Sequence, residues 1–331
     1  MRKILNIGEI MLRLSTRDSL RIEESPCFEA HYGGGEANVA ISLANFGHQV
    51  SFASKVPDNL LGQAVRKHLS RYQVDTSNLL FGGKRLGTYY LEMGTGLRAS
   101  NVVYDRSYSS FAQMKELEWT ANELFQDVSL LHISGITPAL SPQWPALMIQ
   151  LVKKAKEHNV LINFDINYRG KLWSIDECGE FVREIAPYID YCSAAKLDAV
   201  NFFQISEKPE ANLEYYYEEI SKVYPNIKIL YSTDRKIYDS QHNQLQGNIY
   251  VDGTFYQSKE YNINQIIDRV GGGDAFAAGI LHGIFEESNP QQTVDFATAA
   301  SVLKHTVHGD YNQFTIQEVE TFLKSNGEIK R

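Results

Sequence analysis

Between residues 129 and 233 the chain keeps switching the period of its apolar residues, and few architectures accept such a pattern. "SLLHISG" (129–135) leads into the amphipathic "QWPALMIQLVKKAKEHN" (143–159). Then come "VLINFDIN" (160–167), "IDECGEFVREIAPYI" (175–189), "DYCSAA" (190–195), a helical stretch near 213–223 and "IKILYST" (227–233). Short apolar runs alternating with helices of 3.6-residue period predict an α/β fold, a mostly parallel sheet covered by helices on both faces. In such sheets ligands gather at the carboxyl ends of the strands.

The first hundred residues carry a modified version. "KILNIGEIML" (3–12) and "QVSFASKV" (49–56) read as strands, "EANVAISLANFG" (36–47) as a helix stopped by Gly47, and Leu60–Tyr72 as a second helix. "KRLGTYYLEMGTGLRASNVVYDR" (84–106) is rich in Tyr, Val and Thr with glycine turns, which predicts antiparallel strands. Excursions at about 12–32 and 84–110 are expected to form a small β-sheet over the body of a single domain spanning 1–331. No repeat or long linker divides the chain.

Composition excludes several classes. A net charge of −8 argues against nucleic-acid binding, which needs a basic face, although a small anion in a locally positive cleft remains compatible. Three cysteines, none in a CxxC pair, fit a reducing cytoplasm better than a disulfide scaffold or a zinc site. Val128–Val152 lacks Asp, Glu, Lys and Arg, but Pro138, Pro142 and Pro145 interrupt it, so no membrane span is expected. The nine histidines form no HxH or HExxH pattern, and His132 in an apolar run reads as a core residue.

Chemistry concentrates at glycines. "DRVGGGDAFAAG" (268–279) sets Gly271, Gly272 and Gly273 before an uncharged helix with Asp274 in its first turn. Backbone N–H groups at a helix start make an anion site. The helix end is expected to keep Asp274 ionised, in position to take a hydroxyl proton during phosphoryl transfer. The same residues also fit a tight turn feeding a buried helix, with Asp274 as its cap and Gly279 and Gly283 allowing close helix packing. A second cluster, "HYGGGEANVA" (31–40), offers backbone at Gly33–Gly35 and a donor and acceptor at Asn38, or else a plain strand-to-helix turn. In "FDINYRGKLWS" (164–174), Asp165, Asn167 and Arg169 at i, i+2 and i+4 point into one cleft if the strand persists. Tyr104 and Arg106 share a face of the excursion, where Arg106 meets either an anionic substrate group or a solvent-facing carboxylate.

Two of these segments resemble a known family. "DRVGGGDAFAAG" is similar to the D-T-x-G-A-G-D signature of ribokinase-like sugar kinases, and "GGGEANVAISLANFG" to their N-terminal glycine signature, in the right order across the whole chain. Within the family, "SGITPALSP", "DINYRGKLWS" and "HGDYN" look most like the kinases of 2-keto-3-deoxygluconate. The resemblance implies a ribokinase-like fold with a lid and transfer of phosphate from ATP, with Mg2+, to the terminal hydroxyl of a six-carbon keto acid. It implies Asp274 as base and the N–H groups of Gly271 to Gly273 as anion hole. Gly34, Tyr89, Tyr104, Arg106, Arg169 and Asp310 match substrate-contacting positions, and Asn167, Ser232 and Arg235 nucleotide-contacting ones. Arg269 stands where the signature has Thr, and Gly272 where it has Ala. The segment associated with magnesium, N-x-x-E, falls near "CSAAKLDA", where Ser193 and Lys196 stand instead, and the nucleotide strand runs into what reads as a long polar loop, 232–247. A kinase for a neutral ketose such as fructose or for a nucleoside, and a catalytically silent sugar-binding homologue, are the competing readings. Apolar lid strands point to a homo-oligomer.

Overall fold

The computed structural model describes residues 2–324. The chain opens with β1 (Lys3–Ile7), β2 (Met11–Ser15), β3 (Glu29–Gly33), α1 (Gly35–Asn45), β4 (Gln49–Val56), α2 (Leu60–Arg71) and β5 (Leu79–Phe81). β6 (Thr88–Glu92), β7 (Asn101–Asp105) and the short α3 (Ala121–Leu124) follow. The regular alternation then supplies β8 (Val128–Ser134), α4 (Trp144–Glu157), β9 (Leu161–Asp165), α5 (Ile175–Ile185), β10 (Tyr191–Ser193), α6 (Lys196–Asn201) and α7 (Leu213–Val223). β11 (Ile229–Ile237), β12 (His242–Val251), β13 (Thr254–Gln257), β14 (Tyr261–Asn264), α8 (Gly272–Phe285), α9 (Pro290–Lys304) and α10 (Ile316–Lys324) complete it.

The main sheet runs β13-β12-β11-β10-β9-β8-β1-β4-β5, with β14 also pairing β12. From β11 to β5 every pairing is parallel, and only the β12 side is antiparallel. Alternation within each strand feeds two separate cores. Leu5, Ile7, Leu131 and Ile133 pack on the side of α4, α5 and α7, whereas Ile4 and Leu130 pack on the side of α1, α8 and α9. Local signals place the helices: a Ser174–Glu177 capping box starts α5, and the Asn59 side chain caps α2. A Cβ on Gly279 would overlap Ala297 and one on Gly283 would overlap Thr293, so these glycines let α8 and α9 close on one another as expected. The smaller sheet, β3-β2-β6-β7, is built from the two excursions.

Two expectations need correction. The stretch 232–247 is a hairpin rather than a loop: β11 continues to Ile237 and pairs antiparallel with β12, Thr233 opposite Gly247 and Arg235 opposite Leu245. Its buried face consists of Asn243, Leu245, Gly247 and Ile249, so half of the inward positions lack an apolar side chain and the period-2 signal disappears. β9 ends at Asp165, and Asn167 has a left-handed φ of 41°. Strand alternation therefore does not aim Asp165, Asn167 and Arg169.

Candidate active site

The carboxyl ends of β1, β8, β9, β10 and β11 open onto one cleft of about 620 Å³. Met11, Tyr89, Leu91 and Tyr104 of the small sheet form its opposite wall, and the start of α8 its floor. Asp165, Asn167 and Arg169 all reach it, brought there by the turn after β9.

Each glycine at the start of α8 has its own reason. Gly271, the N-cap, has φ 78°, and a Cβ there would overlap the Asp310 carbonyl oxygen. A Cβ on Gly272 would stand 2.6 Å from the His305 ring, whereas one on Gly273 would meet open space. The first two glycines thus serve packing, and the third lets a ligand approach. Gly272 gives its N–H to the Arg269 carbonyl at 3.3 Å, whereas the N–H groups of Gly271, Gly273 and Asp274 have no acceptor among the described residues.

Asp274 is the third residue of α8, not its cap. Its carboxylate opens onto the cleft and is otherwise enclosed by protein, and this enclosure pushes its pKa up to about 7. The Asn38 hydrogen bond and Arg169 act the other way, while Asp165 and Glu36 add to the rise. The expectation that the helix end keeps it ionised is therefore corrected: enclosure raises its pKa to about 7, so near neutrality the protonated form is populated beside the carboxylate. Asn38 has both ends of its amide engaged, Nδ2 donating to Asp274 at 2.7 Å and Oδ1 accepting from the Gly34 N–H at 3.3 Å. It enters the site by holding the carboxylate. Gly34 is extended, and a Cβ there would overlap the Glu9 carbonyl.

Arg106 is buried and bound through Nε (2.8 Å) and Nη2 to the Glu9 carboxylate, which Ser109 also contacts; its guanidinium lies 5.7 Å from the ring centre of half-open Tyr104. Of the two partners foreseen for Arg106, a carboxylate is present, but a buried one. Arg169 is exposed; its hydrogen bonds among the described residues go to the carbonyls of Tyr168 (3.1 Å) and Asn167 (3.4 Å), and its charge acts on Asp165 and Asp274. Tyr89 donates to Asp310, and Asp310 is also bound by Arg13, whose Nη2 holds Asp268 at 2.6 Å. Burial works against the Arg13 charge, yet Asp310 and Asp268 outweigh it and raise its pKa. Ser232 is buried and accepts from the Tyr217 hydroxyl at 2.8 Å, while Arg235 is open to the cleft.

Glu9, Arg13, Asp198 and Asp268 were not singled out from sequence. The signal available for the first two was a charge interrupting an apolar strand segment, which marks either solvent or a buried partner. Asp165 and Asp198 both line the cleft with pKa values raised by burial, Asp198 to about 6, where the Asp165 charge adds to the rise. Two half-enclosed carboxylates of this kind are a donor set that a hydrated divalent cation would relieve. His132 is indeed a core group, bonded to Asn163 at 2.7 Å, which in turn accepts from Tyr231. Away from the cleft, His48, His282 and Glu286 come together in space without any sequence pattern, and the two imidazoles already bond to one another at 2.8 Å.

Residues 1–316 match the pfkB family carbohydrate kinases. A crystal structure of a PfkB family carbohydrate kinase from Listeria grayi superposes with a TM-score of 0.95 at 43% identity, covering 98% of this chain and 100% of that one. The crystal structure of 2-dehydro-3-deoxygluconokinase from Thermotoga maritima gives 0.94 at 35% identity, with coverage of 98% and 100%. A Haloferax volcanii 2-dehydro-3-deoxygalactonokinase is 28% identical over 322 residues, 97% of this chain and 96% of its own length. With its ribokinase-like sheet, its second small sheet and an aspartate behind three glycines, the chain belongs to the pfkB family of carbohydrate kinases.

Proposed function

We propose that the protein transfers the terminal phosphoryl group of ATP to the terminal hydroxyl of 2-keto-3-deoxygluconate, yielding the 6-phosphate and ADP. The observation that carries the reading is the placement of Asp274, a cleft-facing carboxylate with a pKa near 7, one residue from the open face of Gly273. Such a group is ionised enough at neutral pH to accept a proton and basic enough to want it.

In this mechanism the sugar hydroxyl gives its proton to Asp274 while its oxygen bonds to the γ-phosphorus and the bond to the ADP oxygen breaks. The free N–H groups at the start of α8 and the positive end of that helix face the charge on the transferring group. Asn38 holds the base in place. The acid group of the sugar is met by Arg169, a cleft arginine whose hydrogen bonds among the described residues go to backbone carbonyls, with Arg106 and Tyr104 lining the same cleft. Tyr89 and Asp310 complete the sugar side, Asn167, Ser232 and Arg235 the nucleotide side. Asp165 and Asp198 would hold Mg2+ through water, and the ion when bound supplies charge neutralisation on the phosphates.

The small sheet acts as a lid on a single domain, excluding water from the transfer. Val103 on β7, with Leu97 and Tyr108 in the segments flanking it, is exposed, which supports a homo-oligomer. No helix among the described residues is long and apolar enough to cross a membrane. Three free cysteines support a reducing cytoplasm as its location.

Relatives named for two epimeric keto-deoxy acids support the acid-sugar class. The engagement of Arg106 by Glu9 favours a second reading, a neutral ketose such as fructose, because that pair carries no net charge. ADP release on 2-keto-3-deoxygluconate, its galactonate epimer, fructose and ribose decides between them. Turnover of the acids that Arg169→Leu weakens through KM supports the proposal, and turnover confined to a neutral sugar removes it.

A further inference from the structure

Four arginines line the cleft, and two of them have no anionic or hydrogen-bonding partner among the described residues. Arg106 is held by Glu9 and Arg169 by backbone carbonyls, but Arg235 on β11 and Arg269, two residues before the N-cap of α8, are unpaired. Arg235 is open to the cleft and Arg269 is half-buried.

Neither cation is comfortable. Partial desolvation by the cleft walls lowers the pKa of both, and the charge of Arg269 lowers that of Arg235 further, so the two stand within each other's field. His305 shows where that field lies. Its ring stands 2.6 Å from the place a Cβ on Gly272 would take, and it senses Arg235 and Arg269 together. Its Nδ1 lies 2.7 Å from the Ser301 carbonyl, which puts the hydrogen on Nδ1 and leaves buried Nε2 a bare acceptor without a partner. His305 cannot bind an anion in that form, but it can accept from a guanidinium. Two unpaired, mutually repelling guanidiniums beside a glycine run are stabilised by one thing above all, a multiply charged anion.

We propose that Arg235 and Arg269 form a two-guanidinium clamp for the polyphosphate chain of the nucleoside triphosphate. The nature of the ligand rests on the kinase reading; the clamp itself rests on the unpaired charges. Arg269 occupies the position where the family signature has threonine, so the clamp gives this chain phosphate-neutralising charge next to α8 that such a threonine does not provide.

Calorimetric titration without sugar tests it, using wild type, Arg235→Met and Arg269→Met with ATP, ADP, adenosine and tripolyphosphate in the presence of Mg2+. Methionine keeps most of the apolar stem. Each variant should lose roughly ten- to hundredfold in affinity for ATP and tripolyphosphate and nothing for adenosine. Arg269→Lys should recover part of the loss. Without ligand, both methionine variants should melt no lower than wild type, because a repulsion has been removed. Unchanged affinity for ATP in both variants, an equal loss for adenosine, or an effect confined to the KM of the sugar acid would overturn the clamp. If wild type binds ATP and tripolyphosphate with this pattern yet phosphorylates no sugar acid, the clamp stands and the substrate assignment falls.

Discussion

The side-chain amide of Asn38 in the first turn of α1 donates across 2.7 Å to the carboxylate of Asp274 in the first turn of α8, joining residues 236 apart in sequence. Two glycine-led helix starts are thereby locked face to face, and Gly35 packs close to the same carboxylate, its Cβ position 3.8 Å from Oδ1.

The first prediction concerns pH. With Asp274 titrating near 7, kcat/KM should rise with pH through that value and level off above it. Asn38→Ala removes the hydrogen bond that holds the pKa down and should move the rise to higher pH. Asp274→Asn should abolish the rise and lower kcat by about 10²- to 10⁴-fold. A pH series of initial rates on the three proteins checks all three outcomes.

Stability follows from the same shift. The folded-state pKa lies above the ordinary value of 3.8, so the native protein binds this proton more tightly than the unfolded chain does. The contribution is fully present below about pH 4 and lost as pH rises through about 7. Asp274→Asn should therefore exceed wild type in Tm at pH 8, with the gap closing toward pH 4. Melting curves at both ends that showed a constant gap would contradict the shift.

The glycines should separate by role. Gly271→Ala forces a left-handed φ of 78° on a side chain that overlaps the Asp310 carbonyl, and the folded state should be lost or lowered by several kcal/mol. Gly273→Ala meets no atom and sits in a helix, so the unfolding free energy should stay within about 1 kcal/mol of wild type. Its kcat/KM for ATP should nevertheless fall at least tenfold, because the methyl group occupies the open face. Urea unfolding and steady-state kinetics on the pair test the distinction.

Arg13 ties the small sheet to the glycine run. It is 1% exposed and bridges Asp268 and Asp310, and Asp268 in turn accepts from the N–H groups of Val270 (3.0 Å) and Gly309 (3.1 Å). Arg13→Met removes the cation that is hydrogen-bonded to two buried carboxylates, leaving them only the field of buried Lys304, and should cost about 3–5 kcal/mol in urea unfolding. Adding Asp310→Asn to that variant should return part of the loss, since one uncompensated charge is then removed.

The cysteines give a simple check on the packing. Cys27 is exposed, whereas Cys178 and Cys192 are buried with thiol pKa values pushed up by burial, Cys178 to about 12. Thiol titration of the native protein should count one reactive group out of three, and all three after denaturation.

The sheet, its helices and the glycine-led helix starts were readable from sequence because each rests on local chemistry: apolar period, caps and conformational freedom repeat over a few residues. Arg106 and Asp274 were readable as candidates for the same reason, their residue types standing beside strand ends and glycines. What local pattern could not supply was pairing. Whether Arg106 faces substrate or Glu9, whether Asn38 touches a ligand or the base, and how far burial lifts Asp274 depend on groups from 97 to 236 residues away. Strand alternation failed at Asn167 because one positive φ redirects the chain, and the β11–β12 hairpin was hidden because Asn243 and Gly247 occupy inward positions. Charge and desolvation act through space, so the protonation of the site is a property of the folded surroundings and not of any motif.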